Sequence, residues 1–153
     1  MKLPILLPAL LLLFTWSCKQ SERYIDFGND RVYYEKPVTQ ETAQQVGEFL
    51  KAYRYFIDNG AVVQLVNDTS FVVRFATVSG VENDPYIIDG FVDMQIDLSL
   101  TLFNGERVDM QLCDSTMRTK GTITFDDAKA WIDGRAYVER DGIKVQTESS
   151  AQE

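Results

Sequence analysis

The sequence predicts an α+β domain: an antiparallel β-sheet with two helices packed on one face. Three observations predict it. Short runs of β-forming residues are bounded by Gly, Asn, Asp and Pro. Two longer segments repeat apolar residues at steps of three and four. Apolar content is 45% and charged content 25% in a chain of 153 residues, enough for one hydrophobic core and too little for two ordinary domains.

Before the domain comes an address. Lys2 precedes an apolar run from Leu3 to Phe14, broken by Pro4 and Pro8. A membrane-spanning helix needs roughly 20 apolar residues, so this shorter run reads as a signal peptide over residues 1–17. Thr15-Trp16-Ser17-Cys18 resembles a bacterial lipobox, in which a small residue precedes the cysteine that receives diacylglycerol. The resemblance implies lipidation of Cys18 and a membrane anchor. It departs from the usual pattern at Thr15, where Leu is preferred, and at the bulky Trp16. Thr15 and Ser17 also suit an ordinary signal peptidase, which would leave Cys18 a free thiol. Each buried methylene of an acyl chain contributes about 0.8 kcal/mol, so the two or three chains of a lipoprotein would hold the domain on the membrane. By likeness to sorting rules, Lys19 is no inner-membrane retention signal, and Lys19-Gln20-Ser21-Glu22 lacks an acidic export run. The expected location is the periplasmic face of the outer membrane.

Residues 18–30 read as the lipidated cysteine and a polar tether, residues 31–146 as the domain, and residues 147–153 as a disordered tail. Arg31-Val32-Tyr33-Tyr34-Glu35 is the expected first strand, stopped by Pro37. Thr39 is placed to cap a helix over Gln40 to Ile57, with Ala43, Val46, Leu50, Tyr53 and Ile57 on its apolar face and Asn59-Gly60 as its stop. A hairpin follows: Val62 to Val66, a turn through Asn67-Asp68-Thr69-Ser70, then Phe71 to Val78.

The stretch from Asn83 to Phe103 admits two readings. Asp84-Pro85 is a good helix start, and Ile87, Phe91, Met94, Leu98 and Leu102 share a helical face. Met94, Ile96, Leu98, Leu100 and Leu102 also alternate as in a strand. An apparent internal repeat favours the helix. Gln64-Leu65-Val66-Asn67-Asp68-Thr69 resembles Gln111-Leu112-Cys113-Asp114-Ser115-Thr116, and both follow a long segment and an Asn-Gly pair, so two α-β-β repeats are expected. Met117 to Phe125 continues as strand, and Asp141-Gly142 suggests a final hairpin between Tyr137-Val138-Glu139 and Ile143-Lys144-Val145.

These segments resemble a bacterial α+β domain family of exported and membrane-associated proteins, over about residues 31–122. The likeness rests on Val32-Tyr33-Tyr34 with Pro37-Val38-Thr39, Val63-Gln64-Leu65, Val73-Arg74-Phe75, Asn83-Asp84-Pro85, Phe103-Asn104-Gly105 and Leu112-Cys113-Asp114. It implies two helices on an antiparallel sheet and no particular activity. That family often has histidine before its Leu-Cys-Asp element, where this chain has Gln111. A proton-transfer or metal role at that position therefore does not carry over.

Charge and composition narrow the function. A net charge of −8 repels phosphate backbones, so nucleic acid is not an expected partner. The chain has no histidine, which removes Ser-His-Asp and Cys-His nucleophiles and the commonest zinc ligand. No cofactor motif is present. Asp89, Asp93 and Asp97 would form an acidic stripe on a helix, best read as a solvated face. Asp126-Asp127 with Glu82 or Asp84 would be the carboxylates of a glycosidase-type site, but turns and caps explain them more simply. Cys113 reads as a structural cysteine. Tyr55, on the polar side of the first helix, is the candidate exposed binding residue. The expected function is a membrane-anchored envelope accessory module with a non-enzymatic role, contacting an envelope protein or binding a small ligand. A carboxylate-dependent hydrolase acting on envelope glycan is the alternative.

Overall fold

Antiparallel hairpins alternate with helical crossovers along this chain. The computed structural model describes residues 23–142, with side chains described through residue 134. Strand β1 (Arg23–Phe27) turns through Gly28, at φ 74°, into β2 (Asp30–Tyr34). Helix α1 (Gln40–Ala52) leads to the hairpin of β3 (Val62–Asn67) and β4 (Phe71–Ala76). A 3-10 turn at Val81–Asn83 precedes α2 (Pro85–Leu102), which returns to β5 (Val108–Cys113), β6 (Thr119–Ile123) and α3 (Phe125–Gly142).

The six strands lie in sequence order in one sheet. Pairing is antiparallel within the hairpins but parallel between β2 and β3 and between β4 and β5. The expected all-antiparallel sheet is thus corrected to a mixed one. The reason is geometric: a helix spans from one end of a strand to the start of the next, which brings the second strand in parallel.

One face of the sheet is dry. Val32, Val63, Leu65, Val73, Phe75, Val108, Met110 and Leu112 are fully buried there, with Val46, Leu50 and Leu98 from α1 and α2. Both helices start as the sequence predicts. Thr39 Oγ1 accepts the Thr42 amide at 3.1 Å, and Asp84 Oδ1 accepts the Tyr86 amide at 3.0 Å ahead of Pro85. The residues from Pro85 to Leu102 are helical, not a strand.

Three further expectations are revised. Helix α1 ends at Ala52, not Ile57, because Arg54 adopts a left-handed conformation (φ 63°) and the chain folds back, the Tyr55 and Phe56 amides both donating to the Leu50 carbonyl. Phe56 is thereby buried, while Ile57 is left 64% exposed.

The domain starts at β1, so residues 23–30 are not tether. Phe27 packs against α1 at Gly47, where any Cβ would collide with its ring. The β1–β2 turn is also fastened to the loop after α1. Asp30 is 1% exposed, and its carboxylate accepts the Asp58 and Ala61 amides at 2.7 and 2.8 Å.

A third helix replaces the expected final hairpin, so Tyr137-Val138-Glu139 is helical. Thr124 and Asp127 cap it reciprocally: the Asp127 amide donates to Thr124 Oγ1 at 3.1 Å, and the Thr124 hydroxyl donates to Asp127 at 2.6 Å. Residues 1–22 and 143–153, including the expected signal peptide, Cys18, Ile143-Lys144-Val145 and the expected tail, lie outside the described residues.

Candidate functional site

The face of the sheet opposite the core helices carries a polar row. Register aligns Tyr24, Tyr33, Gln64, Arg74, Gln111 and Thr122 across all six strands. Tyr33, Gln64, Arg74 and Gln111 each lie between two buried neighbours, as strand alternation requires. The side chains are linked from strand to strand. Arg74 donates from Nη1 to Gln64 Oε1 at 2.7 Å and from Nε to Gln111 Oε1 at 3.1 Å. Gln64 Nε2 then donates to Glu35 Oε1 at 2.7 Å, and the Thr119 hydroxyl to Gln111 Oε1 at 3.0 Å.

Arg74 also reaches out of the sheet. Its Nη2 donates to the Met117 carbonyl at 2.5 Å, drawing the β5–β6 turn over the open face. That turn is held by local hydrogen bonds. Asp114 Oδ1 accepts the Thr116 hydroxyl and the Thr116 and Arg118 amides, and Met117 sits at φ 61°. These hydrogen bonds, that from the Thr116 hydroxyl foremost, hold the Asp114 carboxyl down at about 2.

Between this turn and the β1–β2 end lies a cleft of about 350 Å³, lined by Arg23, Tyr33, Tyr34, Glu35, Val62, Gln64, Ser115 and Met117. Its size suits a small molecule. Beside it, Arg31 stacks on the Tyr24 ring at 4.3 Å and donates to the Tyr33 hydroxyl at 3.1 Å. A second depression, about 630 Å³, lies by the start of α1. Two of its hydroxyls are engaged, that of Thr39 in capping α1 and that of Ser70 in a 3.0 Å bond to Asp109.

The residues singled out from sequence lie elsewhere. Tyr55 is not exposed on a helix. It follows the end of α1 and packs edge-on against Phe75 and Phe91, with ring centroids 5.0 and 6.1 Å away. Burial, with the Asp30 charge adding to it, pushes its phenol up to about 12. The reason is the early helix stop, which turns a residue on the polar side of a longer helix into one that points at the sheet.

The acidic stripe lies between the helices: Asp89 accepts the Trp131 indole N–H at 2.8 Å, and burial followed by the charges of Asp97 and Asp93 holds the Tyr53 phenol above its usual value. Asp84 and Asp127 cap α2 and α3, Glu82 accepts the Gly80 amide, and Asp126 pairs with Arg107 at 2.5 Å. Cys113 is fully buried at the end of β5, as the structural reading expects. Among the described residues no group of three or more His, Cys, Asp and Glu is arranged to hold a metal ion, and no helix is long and apolar enough to cross a membrane.

Sequence reasoning missed Arg74, Glu35 and Arg23. Alternation in Phe71-Val72-Val73-Arg74-Phe75 marks Arg74 as outward-facing. Nothing local marks Gln64 and Gln111 as its neighbours. Residues 24–127 match the AF_1994_N family N-terminal domain, and the chain belongs to that family. The match begins within β1 and ends in the first turn of α3, so the family's unit includes the strand that sequence reading left out of the domain. No curated protein and no solved structure matches the chain.

Proposed function

We propose that this chain is a lipid-anchored accessory module of the cell envelope that binds a ligand, without catalysis, in the cleft on the open face of its sheet. One observation carries the reading: Arg74 ties the β5–β6 turn to the polar row and so maintains a cleft lined by charged, aromatic and aliphatic groups. A ladder of side-chain hydrogen bonds that only stabilised the sheet would not need a loop drawn over it. The anchor rests on the sequence alone, on Cys18 and the apolar run before it. The two successive helix–hairpin units, α1-β3-β4 and α2-β5-β6, are proposed to be repeats. Support comes from Gln64 and Gln111, which match in the sequence comparison and flank Arg74 in register.

Two measurements test the proposal. Cys18→Ser should move the protein from the membrane to the soluble fraction, and an unchanged distribution removes the anchor. For the cleft, an envelope small-molecule extract should shift the amide resonances of Tyr33, Gln64 and Met117, and Arg74→Leu should abolish the response. Shifts confined to the helices would place binding elsewhere and refute the cleft.

A further inference from the structure

Sulfur is distributed unevenly between the two faces of the sheet. Among the described residues Met94, Met110, Cys113 and Met117 carry it. Met94, Met110 and Cys113 are buried, and both of those methionines belong to the core cluster under the helices. Met117 differs from them. It is half-buried, it is not packed against that core, and it lines the cleft on the open face. Its backbone is fixed without help from its side chain. The Met117 carbonyl accepts from Arg74 Nη2, its amide donates to the Asp114 carbonyl at 2.9 Å, and Asp114 Oδ1 accepts the amides of Thr116 and Arg118 on either side. None of these bonds uses the thioether, so a change at the sulfur alters the cleft wall and leaves the turn in place.

We infer that Met117 is a reversible oxidation site, at which a peroxide switches the cleft wall from apolar to polar. A sulfur lone pair attacks one oxygen of hydrogen peroxide and the O–O bond breaks. The departing hydroxide takes the remaining proton, which leaves the sulfoxide and water. Sulfur gives up two electrons and the peroxide gains them. The sulfoxide is polar and chiral, and methionine sulfoxide reductases return it to the thioether. A thioether suits the Val62 side of the cleft, whereas the sulfoxide oxygen seeks a donor, and the Tyr33 and Ser115 hydroxyls line the same space. Met94 and Met110 are shielded because peroxide reaches them only when the core opens.

The switch needs no ligand, so it stands or falls separately from the binding reading. The full chain is treated with dilute hydrogen peroxide, folded and then in urea, and oxygen uptake at each methionine is followed by peptide mass spectrometry. In the folded protein Met117 should gain one oxygen at least about tenfold faster than Met94 or Met110, and in urea the three should react alike. Oxidation should leave the melting temperature unchanged and shift the amide resonances of Tyr33 and Gln64, with those of Val46 and Leu98 unmoved. Met117→Leu keeps the bulk and removes the sulfur, so peroxide should produce no such shift in it. A pair of methionine sulfoxide reductases, one for each epimer, should restore the starting spectrum. Comparable uptake by Met94 or Met110 in the folded protein overturns the site. Oxidised Met117 with unmoved Tyr33 and Gln64 amides overturns the switch, as do the same shifts in peroxide-treated Met117→Leu. A lower melting temperature, or shifts that the reductases do not reverse, overturns it as well.

Discussion

The two faces of this sheet are built from alternate residues of the same strands, yet they are held by different physics. On the covered face, Val63, Leu65, Val73, Phe75, Met110 and Leu112 are removed from water under α1 and α2. That burial is favourable at about 25 cal/mol per Å² and needs no particular partner. On the open face, Gln64, Arg74 and Gln111 are joined by directional hydrogen bonds, each worth about 1 kcal/mol net. The covered face therefore sets whether the domain folds. The open face sets where the β5–β6 turn sits, which a non-directional force cannot do.

The comparison is broken most sharply from the covered side. Phe75→Ala empties a fully buried site that Tyr55 and Phe91 meet edge-on, and should cost about 3–5 kcal/mol in urea unfolding. A loss below about 1 kcal/mol would mean that the aromatic cluster is not part of a packed core. Gly47→Ala drives a methyl into the Phe27 ring and should cost about 1–3 kcal/mol. Wild-type melting in that variant would show that β1 does not seat on α1.

On the open face the expected effects are smaller and more local. Arg74→Leu keeps the aliphatic stem but removes three hydrogen bonds, which water partly replaces at this half-buried position, and should cost about 1–2 kcal/mol globally. It should also raise hydrogen exchange across residues 114–118, and a turn protected as before would show that Arg74 does not position it.

The two faces also differ in their response to pH. The Tyr55 phenol, raised from 10.0 to about 12, favours the folded state fully below pH 10 and progressively less up to pH 12. Tyr55→Phe should flatten that alkaline limb of the stability profile. The Asp114 carboxyl, lowered from 3.8 to about 2, contributes above about pH 4, and its contribution is lost as pH falls through 2. Its side-chain carbon resonance should titrate near 2, and a midpoint near 4 would mean that the Thr116 and Arg118 hydrogen bonds are absent.

The legible parts of the fold are those with local causes. Thr39 and Asp84 cap their helices because a side-chain oxygen two or three residues ahead satisfies free amides, which sequence shows directly. The β3–β4 hairpin also turns where the sequence predicts, between Asn67 and Phe71. The errors fall where a distant partner decides. Polar spacing made residues 23–30 look like tether, but Phe27 fits a gap that Gly47 leaves on a helix many residues away. Tyr55 looked exposed by helical projection, until the left-handed turn at Arg54 redirected it. Neither cause can be read from a window of sequence.

The sequence by itself determined the α+β class, the place of several strands, the starts of both central helices and the expectation of a lipid-anchored address. Periodicity and capping are short-range, so they survive without knowledge of neighbours. Only the tertiary structure decided that the sheet is mixed and that Gln64, Arg74 and Gln111 fall side by side. Strand order and register are set by how two helices bury their apolar faces on one sheet, and no residue encodes that alone. The candidate cleft belongs to this second group, because its residues come from three strands and a turn that meet only when the domain is folded.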